Sequence, residues 1–373
     1  MIWEDVTMNS ITRYPETLTS KQRVLKAFHF EKTDRVPIDY LAEPTIHGRI
    51  AKALEVAPDG DAVQKALGSD FRSVTPEYAG PMLFKQIEGL KVNPIYGHYT
   101  RWVANESGGF DDYCNFPLQG ADPEVVANYP VANPDDFDYE QSLCKVQSYK
   151  NYALYVGAPG FGDIINSTGR VMGVEDALVN LMTEDEATLQ YVDRRCNMQL
   201  GMLERTIEKA AGAVDFIWMG EDLGTQITPM ISLEMYRRVL RPRHQRFIDL
   251  AKSYNLPVMV HSCGCSSWVY EDFIEMGVTA VDTLQPEAVN MAPEYLKEHF
   301  GGRLVFHGCI STAGPLAYGN PDEVTQTVKC TLETLMPTRG YMLSPSHLIQ
   351  DNTPVDNVLA MYRAAHQFGT YND

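Results

Sequence analysis

Short apolar runs recur along this chain, separated by longer stretches whose apolar positions follow helical spacing. Runs of this kind, bounded by turn-forming residues, predict β-strands, and the stretches between them predict amphipathic helices. The predicted strands are residues 35–40, 71–75, 152–156, 215–219, 257–261, 280–284, 303–307 and 341–344. The clearest predicted helices are residues 183–211, 232–253, 293–300, 322–336 and 354–366. Strands that alternate with helices call for a parallel sheet, and eight units suit a closed (β/α)8 TIM barrel.

An open, doubly wound sheet is the competing α/β architecture. No G-x-G-x-x-G motif follows the first predicted strand, which weakens the nucleotide-binding version of that fold. We therefore expect one TIM-barrel domain over residues 1–373, with an N-terminal arm and helix in residues 1–34. Two capping-box patterns, Thr19-x-x-Gln22 and Thr183-x-x-Glu186, predict where two of the helices begin.

Residues 78–150 interrupt the rhythm, after the second predicted strand. They are rich in Gly, Pro, Asp and aromatic residues, and alternation over residues 96–103 predicts a β-hairpin. A structureless loop of this length is uncommon in a compact domain, so we expect a small β-rich cap. Its aromatic side chains either pack the hairpin itself or form walls of a substrate cleft.

Charge and cysteine content narrow the class of partner and the compartment. The formal charge of −18 argues against nucleic acid or an anionic membrane, because phosphates would be repelled. No apolar run is long enough to span a bilayer, and the first residues lack a signal-peptide pattern. Seven cysteines without a close-spaced framework favour a reducing cytoplasm.

The end of the fifth predicted strand carries soft metal ligands. His261 and Cys263 are two residues apart, so they point to the same face if extended geometry continues past the strand. An imidazole and a thiolate suit zinc. The alternative is a buried histidine beside a buried free cysteine.

Other polar residues stand at the ends of the predicted strands, where a barrel gathers them around one pocket. They are Asp39, Glu43, Glu221, Asp222, Asp282, Gln285, His307, Ser346 and His347. Each has a structural alternative: Glu221 and Asp222 could cap the following helix, and His347 could pack against the barrel.

Several ordered motifs resemble the uroporphyrinogen decarboxylase superfamily. They are His261-Ser262-Cys263-Gly264, 306–312 (FHGCIST), 340–347 (GYMLSPSH), 352–358 (NTPVDNV) and 34–37 (DRVP). The resemblance covers most of the chain and implies a TIM barrel, in agreement with the strand count.

The superfamily contains metal-free decarboxylases and zinc-dependent, corrinoid-linked methyltransferases. Residues 36–48 contain no arginine, so the arginine-rich carboxylate-binding segment of the decarboxylases looks absent. In the methyltransferase branch, the resemblance implies that His261 and Cys263 bind zinc with a third ligand near the last strand. That position holds His347 here, and a carboxylate such as Glu221 could complete the set, as in the methyltransferase I components of anaerobic O-demethylases.

The resemblance implies methyl transfer from an aryl methyl ether to the Co(I) corrinoid of a partner protein. Glu221, Asp222, Asp39 and His307 are then the catalytic candidates, and the last three could protonate the product or orient other groups. Glu221 and His347 are also expected metal ligands, and His347 and Gln285 are cofactor-binding candidates. One alternative is methyl transfer from a methyl-corrinoid to a thiol, and another is a metal-free lyase. A homodimer is compatible with these expectations, whereas the methyl donor and the docking corrinoid protein stay open.

Overall fold

The structure is a computed structural model, and it describes residues 11–13 and 15–371. A parallel seven-stranded sheet forms its centre, with neighbouring strands in sequence order. Its strands are Phe71–Ser73, Ala153–Gly157, Phe216–Gly220, Val258–His261, Ala280–Leu284, Val305–Ile310 and Tyr341–Pro345. Each one overlaps a strand predicted from the hydrophobic runs.

The first predicted strand, residues 35–40, completes the ring of eight strands and lies between the two edges of this sheet. Barrel strands are numbered here in chain order, so that this segment is the first and Tyr341–Pro345 is the eighth. Ile38 forms a parallel bridge with Leu343 of the last strand, and the Asp39 N–H donates to the Leu343 carbonyl at 2.9 Å. On the other side, the Asp70 N–H donates to the Ile38 carbonyl at 2.8 Å. The predicted first strand is therefore present as an extended segment, and the TIM barrel is confirmed.

Helices surround this barrel and connect its strands. In chain order they are Ser20–Phe28, Pro44–Ala53, Gly60–Leu67, Pro123–Ala127, Tyr139–Ser148, Ile165–Met172, Val174–Thr183, Glu186–Lys209, Leu233–Met235, Arg241–Ser253, Tyr270–Met276, Pro293–Phe300, Pro315–Tyr318, Pro321–Leu335 and Val355–Phe368. A π-helical turn, Tyr236–Leu240, and three 3-10 turns, Pro134–Asp136, Ser267–Val269 and Met336–Thr338, complete the helical elements of the described residues. None of these helices is both long and apolar enough to cross a lipid bilayer.

Two helix starts test the capping predictions. Thr19 caps Ser20–Phe28 in a capping box with Gln22, as its sequence pattern predicts. The prediction at Thr183 is wrong, because Thr183 is the last residue of Val174–Thr183. Asp185 caps the next helix instead, and its carboxylate accepts from the Thr188 N–H. Glu184 adopts a left-handed conformation (φ 55°) between the two helices, which ends one and starts the other.

Apolar side chains fill the interior of the barrel at the end where the strands begin. Phe71, Phe216, Trp218, Met259 and Met342 form one buried cluster with Val24 and Phe28 of the first helix. That helix therefore closes the end of the barrel opposite the strand carboxyl ends. Residues 1–10 of the predicted N-terminal arm lie outside the described residues.

The segment between the second and third barrel strands contains two small antiparallel sheets, with five short strands in all, and two α-helices. Glu77–Tyr78 pairs with Phe137–Asp138, and Lys91–Val92 extends a hairpin of Tyr99–Asn105 and Gly108–Cys114. We call this three-stranded unit the cap hairpin. Its tip reaches the loop after the last barrel strand, where the Gly109 N–H donates to Asp351 Oδ2 at 3.1 Å. The cap hairpin thus lies at the mouth formed by the carboxyl ends of the strands.

Candidate metal centre

Three potential metal ligands converge at the mouth of the barrel. The ligand atoms of Asp222, His261 and Cys263 all lie within 4.8 Å of one another. Cys263 Sγ is 3.4 Å from His261 Nε2, which is itself 3.7 Å from Asp222 Oδ1. Asp222 follows the fourth barrel strand, and the other two belong to the end of the fifth and the loop after it. Nitrogen, sulfur and oxygen donors in this number suit a zinc site with an open position.

Close packing of two loops sets the spacing of these ligands. Gly264 has φ +71°, and a Cβ built on it would lie 2.3 Å from the Gly224 carbonyl oxygen. The Cys263 N–H donates to Asp222 Oδ1, and the Cys265 N–H donates to the Thr225 carbonyl, both at 2.8 Å. Glycine is required at 264 because a side chain would separate the loops.

A neighbouring helix fixes the second oxygen of Asp222. Asn166, in the first turn of Ile165–Met172, donates from Nδ2 to Asp222 Oδ2 at 2.7 Å. Burial would raise the pKa of Asp222, but the His261 ring, the Cys263 N–H and the Asn166 amide lower it. The carboxyl group is therefore held as an anion, the form that a metal requires.

His261 is held from its other ring nitrogen. Its Nδ1 lies 2.7 Å from Asp282 Oδ2, and the Thr283 hydroxyl also contacts Nδ1. Burial would lower the pKa of His261, but the hydrogen bond to Asp282 and the neighbouring Cys263 raise it well above the ordinary value. With Nδ1 engaged by a carboxylate, Nε2 is the atom directed at Asp222 and Cys263.

Thr283 reaches this histidine because the sixth strand contains a bulge. The register with the seventh strand shifts between Asp282 and Leu284, and Thr283 has φ +73°. This conformation is a strained one for a β-branched residue. The bulge places the side chains of two consecutive residues, Asp282 and Thr283, against the same imidazole.

Asp282 also contacts a second histidine, His307, which lies deeper in the barrel. His307 Nδ1 is 2.5 Å from Asp282 Oδ1, and His307 Nε2 is 3.4 Å from Asp39 Oδ2. Burial would lower the pKa of His307, but Asp282 and Asp39 raise it to about 9. The His307 ring packs edge-on against Phe71 and Trp218. Asp39 and His307, both proposed from the sequence as catalytic, are thus buried behind the metal ligands.

Glu221 points away from the three ligands. Its carboxylate accepts from the N–H groups of Ile164 and Ile165, at 2.7 and 2.9 Å, and contacts His244 Nε2 at 3.1 Å. It therefore caps the start of Ile165–Met172, where an anion is favoured by the free N–H groups. The structural alternative considered for Glu221 was capping of the following helix, and the structure shows capping of an earlier one.

The remaining sequence candidates occupy different places. Gln285 Oε1 accepts from the Gly264 N–H at 2.6 Å and from Gln226 Nε2 at 3.1 Å. Gln285 therefore stabilises the loop that carries Cys263. His347 is half-buried, and its Nδ1 has no hydrogen-bond partner among the described residues. Neither side chain belongs to the group of three convergent ligands.

Sequence reasoning gave no role to Asn166 or Thr283, and it named Asp282 without assigning one. Asp282 stood at a strand end, which is a usable signal. Asn166 lies within a helix and not at the end of a strand, and no sequence pattern marks a threonine that adopts a positive φ. Both residues are brought to the site by contacts with distant segments.

Both the sequence and the fold of this chain are similar to those of known proteins. The profile of the family "Uroporphyrinogen decarboxylase (URO-D)" matches residues 167–368, more than half of the chain, including His261 and Cys263. A solved methyltransferase from Methanosarcina mazei superposes with a TM-score of 0.62 and 17% identity, covering 94% of this chain and 99% of that one. That likeness supports the shared fold, and no curated protein matches. The chain belongs to the uroporphyrinogen decarboxylase family.

Proposed function

We propose that this protein is a zinc-dependent methyltransferase that moves a methyl group from an aryl methyl ether to the Co(I) corrinoid of a partner protein. The observation that carries the proposal is the convergence of Asp222, His261 and Cys263 at the barrel mouth. A carboxylate, an imidazole and a thiol suit zinc better than they suit a metal-free decarboxylase site. The methyltransferase fold of the solved relative is consistent with this chemistry.

The proposed ligand set differs in one residue from the expectation based on the resemblance. Asp222 replaces Glu221, because the Glu221 carboxylate is engaged by two backbone N–H groups and His244. His347 stays a candidate for a further ligand or a substrate contact, since its buried Nδ1 has no partner among the described residues.

Bound zinc would supply Lewis acidity that polarises the ether oxygen and makes the phenolate a better leaving group. The C–O bond breaks with its electron pair going to oxygen, and the electron pair of Co(I) forms the new cobalt–carbon bond. The phenolate then takes up one proton from water. Residues of this chain hold the arrangement in place: Asp282 fixes the His261 ring, and Asn166 fixes Asp222.

Asp39 and His307 act in this proposal through Asp282, as positioning residues. Both are buried, and His307 bridges Asp282 and Asp39. A protonated His307 between two carboxylates keeps Asp282 ionised, which agrees with the strongly lowered pKa of Asp282 that the two histidines produce against the opposing effect of burial.

A donor screen tests the proposal. The zinc-loaded protein is mixed with a Co(I) corrinoid protein and a panel of methoxylated aromatic compounds and methylamines, and the cobalt spectrum is followed. We expect conversion to methyl-cobalt with at least one methoxylated aromatic compound. A parallel reaction supplies methyl-corrinoid and thiols; a response only there would replace the proposal with thiol methylation. Metal-free protein that decarboxylates a carboxylated substrate would point to the lyase alternative.

A further inference from the structure

Arg170 lies beside the cap hairpin, on the helix that also carries Asn166. Arg170 is half-buried near the end of Ile165–Met172, and its guanidinium lies 5.0 Å from the centre of the Tyr113 ring. Among the residues that the structure describes, no carboxylate oxygen lies within 4.0 Å of it.

A second arginine places more positive charge behind the first. Arg195 is 1% exposed, and its Nη2 donates to the Asp163 carbonyl at 2.8 Å. Its Nε and Nη1 have no hydrogen-bond partner among the described residues. Burial and the Glu221 carboxylate raise the pKa of the nearby Asp163 carboxyl well above the ordinary value, while the charge of Arg170 acts in the opposite direction. The Arg195 guanidinium also lies 5.4 Å from the centre of the Tyr191 ring, and the charge of Asp163 acts on it. A buried cation that forms no close ion pair is still costly, and a bound anion would offset part of that cost.

The position of Arg170 relates it directly to the proposed metal ligands. Asn166, which holds Asp222, lies four residues earlier in the same helix, so the two side chains share one helix face. Four residues correspond to about 6 Å along the helix axis. A substituted aromatic ring has a comparable length, so one molecule can place its ether group at the proposed metal centre and a second substituent at Arg170.

Aromatic side chains of the cap hairpin lie beside Arg170. The Tyr113 ring packs edge-on against His98, with centroids 5.3 Å apart, and His98 stacks on Tyr96 at 6.4 Å. Burial, with Arg170 nearby, lowers the pKa of His98 to about 4, so that ring is neutral at pH 7. Arg170 therefore carries the positive charge beside these rings. Aromatic rings can offer their faces to a flat substrate.

We propose that Arg170, backed by the buried charge of Arg195, binds a carboxylate carried by the methyl donor. The planar guanidinium can form two parallel hydrogen bonds to a carboxylate. This inference rests on the proposed function, because it places the other end of the same molecule at the metal centre.

Calorimetric binding to the zinc-loaded protein tests it with two ligands of nearly equal shape. 4-Methoxybenzoate carries the carboxylate, and 4-methoxybenzamide is its neutral counterpart. We expect the wild-type protein to prefer the acid by about 10- to 100-fold, the range of one charge-assisted bidentate contact. Arg170→Gln should abolish this preference and leave the affinity for the amide unchanged. Arg101→Gln, which removes an exposed charge from the same hairpin, should leave the preference intact.

The outcomes separate this inference from the proposed function. Equal binding of acid and amide by the wild-type protein, including no detectable binding of either, overturns the carboxylate site. A preference for the acid that survives in Arg170→Gln overturns the assignment to Arg170. Arg170-dependent binding of the acid without methyl transfer from any ether contradicts the proposed function and leaves the anion site standing.

Discussion

His261 Nδ1 lies 2.7 Å from Asp282 Oδ2, on the adjacent barrel strand. This contact leaves Nε2 as the imidazole nitrogen that faces Asp222 and Cys263. Carboxylates that bind the far nitrogen of a metal-ligating histidine orient its ring and increase its basicity. Asp282 is therefore the residue through which the barrel wall would act on the proposed metal centre.

Replacing Asp282 with asparagine should weaken zinc binding by about 10- to 100-fold, because the His261 ring loses its carboxylate partner. Competition with a chromophoric chelator measures the Kd. Asp249→Asn, at an exposed carboxylate that accepts from Gln245, is the matched control. An unchanged Kd in Asp282→Asn, with the protein still folded by circular dichroism, would show that the contact has no influence on the metal.

Cys263 and Cys265 provide a matched pair for the ligand assignment. Both are free cysteines in the same loop, but only Cys263 belongs to the convergent group. We expect about one zinc per chain in the wild-type protein and in Cys265→Ala, and far less in Cys263→Ala, because one of three protein ligands is lost. Elemental mass spectrometry measures the content. Equal zinc in both variants would falsify the ligand assignment.

Thr283→Gly should separate local strain from ligand orientation. Glycine relieves the positive φ of 73°, a gain on the order of 1–3 kcal/mol that the greater flexibility of glycine partly offsets. We expect the free energy of unfolding to be unchanged or slightly higher, while zinc affinity falls because the hydroxyl contact to His261 is lost. Thr279→Gly, just before the same strand and without a positive φ, should lower stability instead. Chemical denaturation compares them, and a large loss of stability in Thr283→Gly would argue against strain there.

Buried ion pairs at the closed end of the barrel predict acid sensitivity. Asp70 is fully buried, and it accepts from Arg23 and Arg35, each at 2.7 Å. Burial would raise its pKa, but the two arginines lower it; Arg23 and backbone N–H groups likewise lower the pKa of Asp34. A lowered pKa in the folded state contributes stability above the unfolded pKa near 4, and this contribution disappears as the pH falls through the folded value. We therefore expect the free energy of unfolding to fall below about pH 4.

Substitution of Asp70 tests whether these buried ion pairs cause the acid sensitivity. Asp70→Asn should cost about 3–5 kcal/mol at pH 7, because two buried guanidinium groups lose their shared anion. Asp111→Asn, which breaks an exposed pair with Lys91, should cost at most about 1 kcal/mol. If Asp70→Asn retains wild-type stability and the same loss below pH 4, the acid sensitivity has another source.

Much of the barrel could be predicted from the sequence because its strands are buried on both faces and produce continuous apolar runs. The shared direction of His261 and Cys263 was also readable, since residues two apart face the same side where extended geometry continues past the strand. The sequence could not show which of the two carboxylates, Glu221 or Asp222, faces His261 and Cys263. The answer depends on the N–H groups of Ile164 and Ile165, which are more than fifty residues away in the chain and draw Glu221 aside.

The bulge at Thr283 was hidden for a different reason. Left-handed backbone is expected at glycine or asparagine, so a threonine between Asp282 and Leu284 predicts an uninterrupted strand. The conformation is imposed by pairing with the seventh strand and by the contact with His261. The motif 34–37 likewise has a structural explanation, because Asp34 and Arg35 belong to the buried ion pairs around Arg23 and Asp70.

The cap hairpin grows from a single connection between two barrel strands, whereas all three convergent ligands follow other strands. Changes in the length or composition of that one connection can therefore alter what enters the mouth without disturbing the atoms that would hold the metal. Relatives that share the ligand residues but differ in this segment should accept different molecules, and exchanging the segment between two such proteins offers a direct route to new donors.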